Sequence, residues 1–367
     1  MNKKKSNILV APLNWGLGHA MRCIPLINEL LKSGVEVILA ADGRPYDLLH
    51  TEFPGLRIIR LPGQKITYSK KSSFLKMLKI VPAFYHAIKI EHKALQHIIQ
   101  KYNIHAVISD NRYGLYSYQI PSIFIGHQMM IKMPLFLKWS EWFIHKLNMR
   151  FIQRFNECWI PDYQGSKGLS GDLAHKYQLP ENFYFIGPLS RFNNEDTITQ
   201  TNKDPLKKEL LVILSGPEPQ RSILEEKLLH QLQSIDRKAI VVRGVTEQNR
   251  VYAVDSKTRI IDHADTAQLR QLIRKSGVII CRSGYSGIMD LAATGKRAIL
   301  IPTPGQTEQE YLAAYFYRQQ VYYCDTQKKI NLKNALQNVP HYPGIQKQYD
   351  STLLRNRIRE LVSKTEN

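Results

Sequence analysis

The 367-residue sequence contains only four cysteines, and none of them stands in a Cys-x-x-Cys pair. This scarcity excludes a disulfide framework and the common zinc motifs, so we expect reduced thiols in a cytoplasmic protein. No run of 18 apolar residues occurs, which predicts that no helix spans a membrane. The basic start Met1–Lys5 precedes an apolar run that is too short for a signal peptide and is interrupted by Asn14. The cysteines are Cys23, Cys158, Cys281 and Cys324.

Acidic residues are scarce between positions 51 and 150. This stretch holds 15 Lys and Arg against 4 Asp and Glu, so it carries +11 of the total net charge of +20. A basic region of this kind attracts polyanions or anionic lipid surfaces. The signatures of RNA- and DNA-binding modules are absent, so we expect an anionic membrane surface as partner and no nucleic acid. Metal-ligand spacings and a convincing D-x-D pair are also absent, so we expect neither a metal nor a cofactor.

Short apolar segments alternate with helical ones along the whole chain, which is typical of doubly wound parallel sheets. The length suits two domains. We predict a Rossmann-like domain over 1–190, a polar linker over 191–208, a second Rossmann-like domain over 209–344 and a final helix within 345–367.

The segment 277–316 carries the most informative pattern. An apolar strand (Val278–Ile280) stops at a Cys-Arg-Ser-Gly sequence, and a helix then begins through Tyr285–Gly287. Small residues at the start of a helix let its unpaired N–H groups approach a phosphate closely. Asp290 follows within that helix, where its carboxylate can accept hydrogen bonds from ribose hydroxyls. An ordinary βαβα crossover has the same spacing.

A second pattern follows the first predicted strand. Gly16 and Gly18 permit a tight turn, and His19 then begins a helix as a candidate general base. Asp110 follows another buried strand and would orient His19 if the two side chains came within hydrogen-bonding distance. Helix capping is the alternative role for both residues.

The segment 277–316 resembles the donor-nucleotide half of the GT-B glycosyltransferases and is most similar to family 28, whose type member adds N-acetylglucosamine to the undecaprenyl-linked peptidoglycan precursor. The resemblance implies a GT-B fold: two Rossmann-like domains with a cleft between them and a final helix that packs back on the first domain. It also implies a ribose contact at Asp290, a phosphate contact at Arg191, and a sugar contact at Gln309 with Glu308 or Glu310. The phosphate loop at Ser215 and Gly216 departs from the family pattern because two prolines follow it. The remaining implied donor residues are His263, Ala264, Arg282, Ser283, Gly284, Tyr285, Ser286 and Gly287.

The loop around His19 resembles two groups of enzymes. It is similar to the G-x-G-G-H loop of family 28, where the histidine lies beside the reacting sugar. The longer string G-L-G-H-A-M-R-C resembles the UDP-sugar hydrolases of nonulosonate biosynthesis, in which water is the acceptor. The family 28 resemblance implies acceptor contacts at Gly16, Gly18, His127 and Gln128, although His127-Gln128 lacks the middle residue of the family's H-E-Q segment.

Residues 129–155 mix large apolar side chains with cations, and we predict an amphipathic helix that faces a membrane. Its apolar stripe contains Trp139, Trp142 and Phe143, and its cationic row contains Lys146 and Arg150. A helix packed against the sheet is the alternative.

We therefore expect a glycosyltransferase of the cell envelope, cytoplasmic or peripheral on the inner membrane face, that moves a sugar from a UDP-sugar to a lipid-linked acceptor. The alternatives are a UDP-sugar hydrolase, a UDP-sugar 2-epimerase and a non-catalytic sugar-nucleotide-binding protein.

Overall fold

The computed structural model describes residues 5–61, 74–165, 168–192, 209–245, 250–345 and 350–366. The chain divides into two units. Unit 1 comprises Met1–Ile131, Trp139–Leu189 and Asp350–Asn367, and unit 2 comprises Lys132–Lys138 and Ser190–Tyr349. Residues 132–138, which lie inside the predicted first domain, thus group with unit 2. Most of the predicted linker, 193–208, lies outside the described residues.

Unit 1 is built on a parallel sheet with seven strands among its described residues, in the order β3-β2-β1-β4-β5-β6-β7. Central strands such as β1 are buried along almost their whole length, which explains their continuous apolar sequences. The order reverses between β1 and β4, so the loops after these strands separate at the position where doubly wound sheets bind ligands. The strands are β1 (Asn7–Pro12), β2 (Glu36–Ala41), β3 (Arg57–Arg60), β4 (Ala106–Asp110), β5 (Ser122–Ile125), β6 (Glu157–Ile160) and β7 (Phe183–Phe185).

Helices connect these strands and end the chain. The helices of unit 1 are α1 (Gly18–Lys32), α2 (Gly43–Glu52), α3 (Phe74–Tyr102), α4 (Glu141–Ile152), α5 (Asp172–His175) and α11 (Thr352–Glu366). The last of these, α11, is tied to the rest of unit 1 by Glu157, which pairs with Arg357 at 2.6 Å and Lys364 at 2.8 Å. These partners lie 200 and 207 residues from Glu157 in the sequence, so a local pattern could not predict the two ion pairs. The sequence analysis also did not predict β6, which starts with Glu157.

Unit 2 repeats the architecture with seven strands in its described part, in the order β10-β11-β9-β8-β12-β13-β14. Only β10 runs antiparallel in this sheet as described. Here the reversal lies between β8 and β12. The strands are β8 (Glu209–Ile213), β9 (Ala239–Val242), β10 (Val251–Ala253), β11 (Thr258–Ile261), β12 (Ser276–Cys281), β13 (Arg297–Leu300) and β14 (Tyr323–Cys324). The helices are α6 (Gln220–Leu232), α7 (Thr266–Lys275), α8 (Tyr285–Thr294), α9 (Thr307–Arg318) and α10 (Leu332–Asn338).

The predicted continuous amphipathic helix over 129–155 is wrong in its extent. A 3₁₀ helix covers Leu135–Ser140 and α4 covers Glu141–Ile152, so the stripe crosses a change of helix type. Pro134 at the start of this region cannot donate a backbone hydrogen bond and instead accepts one from Leu137, which favours a tight 3₁₀ turn.

Candidate active site

The loop after β1 brings His19 to the side of Asp110. Atom Nδ1 of His19 lies 2.7 Å from Oδ1 of Asp110, the last residue of β4, which is completely buried. Since a carboxylate can only accept, Nδ1 of His19 carries the proton, and in the neutral ring Nε2 retains its lone pair. The geometry therefore gives His19 a fixed orientation and one basic nitrogen directed away from Asp110.

Arg22, which the sequence analysis missed, holds the other side of Asp110. Its Nε donates to Oδ2 of Asp110 at 2.5 Å, and its second amino group donates to Oδ1. Arg22 lies three residues after His19 on α1, so both side chains project from one face of the helix. This spacing of three residues was the sequence feature from which a role for Arg22 beside His19 could have been predicted.

The charge of Asp110 follows from these contacts. Burial on its own would raise the pKa of the carboxyl, but Arg22 and His19 together hold that pKa well below its usual range. Asp110 is therefore ionised at any pH near neutrality. The neighbouring Cys23 lies 3.5 Å from Oδ2 of Asp110, and burial raises the pKa of its thiol, so it stays protonated.

His127, a predicted acceptor residue, belongs to the same cluster. Its Nδ1 lies 3.2 Å from NH1 of Arg22. Because the guanidinium only donates, Nδ1 of His127 accepts this bond, and the proton of the neutral ring lies on Nε2. His19 thus donates from Nδ1 to Asp110, whereas His127 accepts at Nδ1 from Arg22, so the two neutral rings are opposite tautomers.

The other predicted acceptor residues are Gly16, Gly18 and Gln128. Gly16 has a φ of +82°, a conformation that favours glycine, and Gly18 starts α1. The Gln128 carbonyl accepts from Nδ2 of Asn148 at 2.8 Å. The Gln128 residue also lines a cavity of about 200 Å³ inside unit 1.

In unit 2, Asp290 and Arg191 lie together. The Ser190 hydroxyl donates to Oδ1 of Asp290 at 2.6 Å, and Nε of Arg191 lies 3.7 Å from Oδ2. Burial raises the pKa of Asp290, and Arg191 and Ser190 partly offset this effect. The side chain of Asp290 is 18% exposed, so it is not completely enclosed by the protein.

The start of α8 supplies backbone donors near Asp290. Gly284 is the N-cap of α8 and has no side chain to cap the helix. Tyr285, which is buried, Ser286 and Gly287 form the first turn. The Ser283 hydroxyl donates to the Gln309 carbonyl at 2.8 Å, which ties this helix start to α9.

Residues at the start of α9 hold the loop after β13. Oε1 of Gln309 accepts from the Thr303 backbone N–H at 2.9 Å, and Oε1 of Glu310 accepts from the Gly305 N–H at 2.9 Å. Glu308 precedes both residues in the first turn and is half-buried. These bonds fix the loop, so any sugar contact from Gln309 comes from a side chain already engaged by the protein.

Arg282, a predicted donor residue, is held by hydrogen bonds to the protein itself. Its guanidinium is buried and donates to the carbonyls of Gln220 (2.8 Å) and Pro302 (3.2 Å) and to Oε1 of Gln327 (2.7 Å). Burial lowers its pKa to about 10. Arg282 therefore links the start of α6, the segment after β13 and the segment after β14.

The remaining predicted donor residues lie at strand ends. Ser215 and Gly216 follow β8, and Gly216 has a φ of +104°. His263 and Ala264 follow β11, next to Asp262, which pairs with Arg243 and Arg250 at 2.9 Å each. All four predicted residues thus lie at the carboxyl edge of the unit 2 sheet.

The predicted membrane-facing side chains are on the surface of unit 1. Trp139 is 71% exposed, Trp142 46% and Phe143 61%, and Lys146 and Arg150 are exposed beside them. The ammonium group of Lys146 lies 3.9 Å from the ring centre of Trp142. The alternative of packing against the sheet does not hold for these three aromatic side chains. We name these five residues the aromatic-basic face.

The described part of the chain lacks two features, a membrane-spanning helix and a metal-binding cluster. None of its helices is long and apolar enough to cross a membrane. No three His, Cys, Asp or Glu side chains described here are grouped so that they could hold a metal ion.

Comparison with known proteins agrees with this architecture. Residues 212–360 match the glycosyltransferase family 28 C-terminal domain. An uncharacterized glycosyltransferase of Methanosarcina acetivorans is 24% identical over 320 residues, which cover 82% of this chain and 80% of the relative. The kitacinnamycin glycosyltransferase has a TM-score of 0.64 at 13% identity, over 99% of this chain and 95% of that one. MurG of Acinetobacter baumannii has a TM-score of 0.51 at 15% identity, over the same shares.

These solved structures establish the GT-B fold, which confirms the predicted fold class. The family match covers the C-terminal part, and the curated relative covers most of the chain. The chain is a glycosyltransferase with the GT-B fold, and its residues 212–360 are similar to the C-terminal domain of glycosyltransferase family 28.

Proposed function

We propose that the enzyme transfers a sugar from a UDP-sugar, or another nucleotide-sugar, to a hydroxyl of a lipid-linked or membrane-embedded acceptor, with inversion and without a bound metal. The observation that carries this proposal is the 2.7 Å hydrogen bond between Nδ1 of His19 and Asp110. It gives a histidine in the first unit the orientation and the charged partner that a general base needs.

The proposed reaction is a single displacement. The acceptor oxygen forms a bond to the anomeric carbon while the bond from that carbon to the nucleotide diphosphate breaks. The hydroxyl proton moves to Nε2 of His19, and the ionised Asp110 stabilises the resulting imidazolium, as the buried aspartate does in hydrolytic triads. Arg22 keeps Asp110 ionised and in place.

The leaving diphosphate gains negative charge in this step. We assign its stabilisation to Arg191 and to the N–H groups at the start of α8, over Ser283–Gly287. Asp290 would accept from the ribose, and Gln309 with Glu308 or Glu310 would contact the sugar. The proximity of Arg191 to Asp290 supports this assignment, because a donor held by its ribose would have its phosphates near a cation.

Docking on an anionic membrane is the second part of the proposal, and the aromatic-basic face supports it. Exposed tryptophans next to cations are typical of helices that lie in a bilayer interface. Each cation near an anionic surface contributes about 1 kcal/mol, an effect that salt weakens. The enzyme would then bind peripherally at the inner face of the membrane.

Vesicle flotation tests this docking. The full chain should bind vesicles of phosphatidylglycerol and phosphatidylcholine at low salt, and the double variant Trp139→Ser/Trp142→Ser should not. Tyr118→Ser is the matched control, because Tyr118 is an aromatic residue of unit 1 that is 80% exposed outside the face. Equal binding by both variants, or no binding by the native chain, would disprove peripheral docking.

A UDP-sugar hydrolase is the second candidate. Arg22 and Cys23, the last residues of the string G-L-G-H-A-M-R-C, both contact Asp110 together with His19. This favours a hydrolase-like site, since three residues of the string contact one carboxylate. The apolar cavity beside the loop favours the transferase, because water as acceptor needs no apolar cavity.

Incubation with radiolabelled UDP-sugars, with and without isoprenoid-lipid acceptors in vesicles, separates the candidates. A transferase moves label into the lipid fraction only when acceptor is present. A hydrolase releases free labelled sugar at the same rate in both cases, and that result would refute the transferase proposal.

A further inference from the structure

The cavity in unit 1 lies between α3, α4 and the loops after β1 and β4. Its volume is about 200 Å³, and its deep wall includes the buried side chains of Ile88 and Phe151. A dry engineered cavity of about 150 Å³ binds benzene. This cavity therefore has room for a ring or a short hydrocarbon segment.

The charged groups on the wall of the cavity are paired with each other. Arg112 and Glu91 form a buried ion pair, with Nε and NH2 of Arg112 at 3.0 and 2.9 Å from Oε1 of Glu91. Oε2 of Glu91 accepts from the Gly114 N–H at 3.2 Å. A polar ligand would have to break these bonds, and breaking a buried pair is costly.

Two neutral polar side chains on the wall, Tyr113 and Asn148, also bond to each other. The Tyr113 hydroxyl donates to Oδ1 of Asn148 at 2.7 Å, and Nδ2 of Asn148 donates to the Gln128 carbonyl at 2.8 Å. The wall therefore offers a ligand mainly hydrocarbon surface, and apolar surface favours an apolar occupant.

The cavity adjoins the proposed base. Leu13 and Trp15 line it and belong to the loop that leads into His19, and Asn111 lines it directly after Asp110. The Leu13 N–H donates to the Asp110 carbonyl at 3.0 Å. A group held here would place the adjoining part of its molecule near His19.

The cavity opens towards the aromatic-basic face. Trp15 and Leu147, both lining residues, are 40% and 39% exposed, so they mark the mouth. Leu147 lies on α4 one turn after Phe143 of the face. An apolar surface thus continues from the exposed helix face into the cavity.

We propose that this pocket takes the hydrocarbon group next to the reacting hydroxyl of a membrane-lipid acceptor. The proposal rests on the proposed function, and it adds that the enzyme recognises the apolar part of the acceptor inside unit 1 as well as at the membrane surface. The continuity between the mouth and the aromatic-basic face selects a lipid chain over a soluble aromatic acceptor.

Binding of 1-aminoanthracene, a neutral dye whose fluorescence rises in apolar sites, tests the pocket without any transfer reaction. The full chain should bind the dye saturably. Ala87→Phe, which fills the cavity from α3, should weaken binding at least tenfold. Ala83→Phe is the matched control, because Ala83 lies one turn earlier on α3, is exposed and does not line the cavity.

Leu147→Trp, at the exposed mouth, is a second variant that leaves the core intact and should also weaken dye binding. Absence of saturable binding to the native chain, or equal binding by Ala87→Phe and Ala83→Phe, would overturn the pocket. Displacement of the dye by n-decanol at lower concentration than by 2-naphthol supports a lipid chain. The reverse order would overturn the lipid assignment in favour of an aromatic acceptor.

The transfer assay distinguishes this proposal from the proposed function. With a lipid acceptor, Ala87→Phe should raise the acceptor KM about tenfold and leave UDP affinity unchanged. If transfer occurs and neither dye binding nor KM changes in Ala87→Phe, the pocket proposal is wrong and the proposed function stands. If no lipid is glycosylated but the dye results hold, the proposed acceptor is wrong while the hydrocarbon pocket remains.

Discussion

The candidate sites of the two units are built in different ways. In unit 1, side chains bond to side chains: His19, Arg22 and His127 all meet at or beside the buried Asp110. In unit 2, side chains mostly hold backbone loops, as when Gln309 accepts from the Thr303 N–H. The first arrangement fixes the orientation of an ionisable group, and the second presents N–H groups and a carboxylate that is mostly buried. The difference fits the proposal that unit 1 moves the proton and unit 2 holds the donor.

The largest expected effect is a loss of turnover without a loss of donor affinity, which would separate proton transfer from donor binding. His19→Ala should reduce turnover by about 10²–10⁴-fold, the usual contribution of a positioned general base. Donor affinity should not change, because the donor residues lie in unit 2. Steady-state kinetics and UDP calorimetry measure both quantities, with the exposed His50→Ala as control. Near-native turnover in His19→Ala would show that His19 is not the general base and that unit 1 does not accept the proton through it.

A slightly smaller effect is expected when Arg22 is replaced, and it concerns the free energy of unfolding. Arg22→Met leaves the Asp110 carboxylate buried without its cation, which should cost about 3–5 kcal/mol in the free energy of unfolding. Arg22→Lys should cost less, since it retains the charge. The exposed Arg359→Met should change stability by no more than about 0.5 kcal/mol. Urea denaturation measures all three, and a loss below about 1 kcal/mol for Arg22→Met would show that the cluster of unit 1 is not held as described.

The corresponding test in unit 2 concerns donor binding. Asp290→Ala should weaken UDP binding by about 1–3 kcal/mol, the cost of leaving a buried polar partner unpaired. Turnover at saturating donor should fall much less. Asp236→Ala, at a carboxylate that is 95% exposed in the same unit, is the control for calorimetry. Unchanged UDP affinity in folded Asp290→Ala would mean that this carboxylate does not hold the donor.

The smallest expected effect is a pH dependence of stability. The folded pKa of Asp110 is below its unfolded value of about 3.9. Its ion pairs therefore contribute fully above about pH 5, and the contribution is lost as pH falls towards the folded pKa. The stability difference between the native chain and Asp110→Asn should narrow below about pH 4. A difference that stays constant from pH 7 to pH 3 would contradict the ionised state assigned to Asp110.

The sequence was more informative about unit 2 than about unit 1. The donor pattern occupies one continuous segment, in which β12, α8, β13 and α9 follow each other directly, so local patterns predicted the fold there. The cluster of unit 1 joins residues 88 and 105 positions apart, Arg22 with Asp110 and His127. Only the strand order reversal between β1 and β4 brings them together. The sequence analysis predicted that Asp110 would orient His19 if the two side chains came within hydrogen-bonding distance. It did not predict that Arg22 also bonds to Asp110.

The roles assigned to Arg282 and Arg191 show the same limit. Both arginines were predicted to contact the donor, but the guanidinium of Arg282 is surrounded by carbonyls. Arg191 instead lies beside Asp290, where the proposed function keeps it as the phosphate contact. A sequence gives the position of a guanidinium on a strand end, but the direction of its side chain depends on loops that are distant in the chain.

The configuration of the first product tests the central claim most directly. A single displacement driven by His19 inverts the anomeric carbon, because the acceptor oxygen attacks from the side opposite the leaving diphosphate. Proton NMR of the reaction of a UDP-α-sugar, recorded during the first turnovers, should show a product with the β configuration. A product with the α configuration would contradict the displacement and the role of His19 with it.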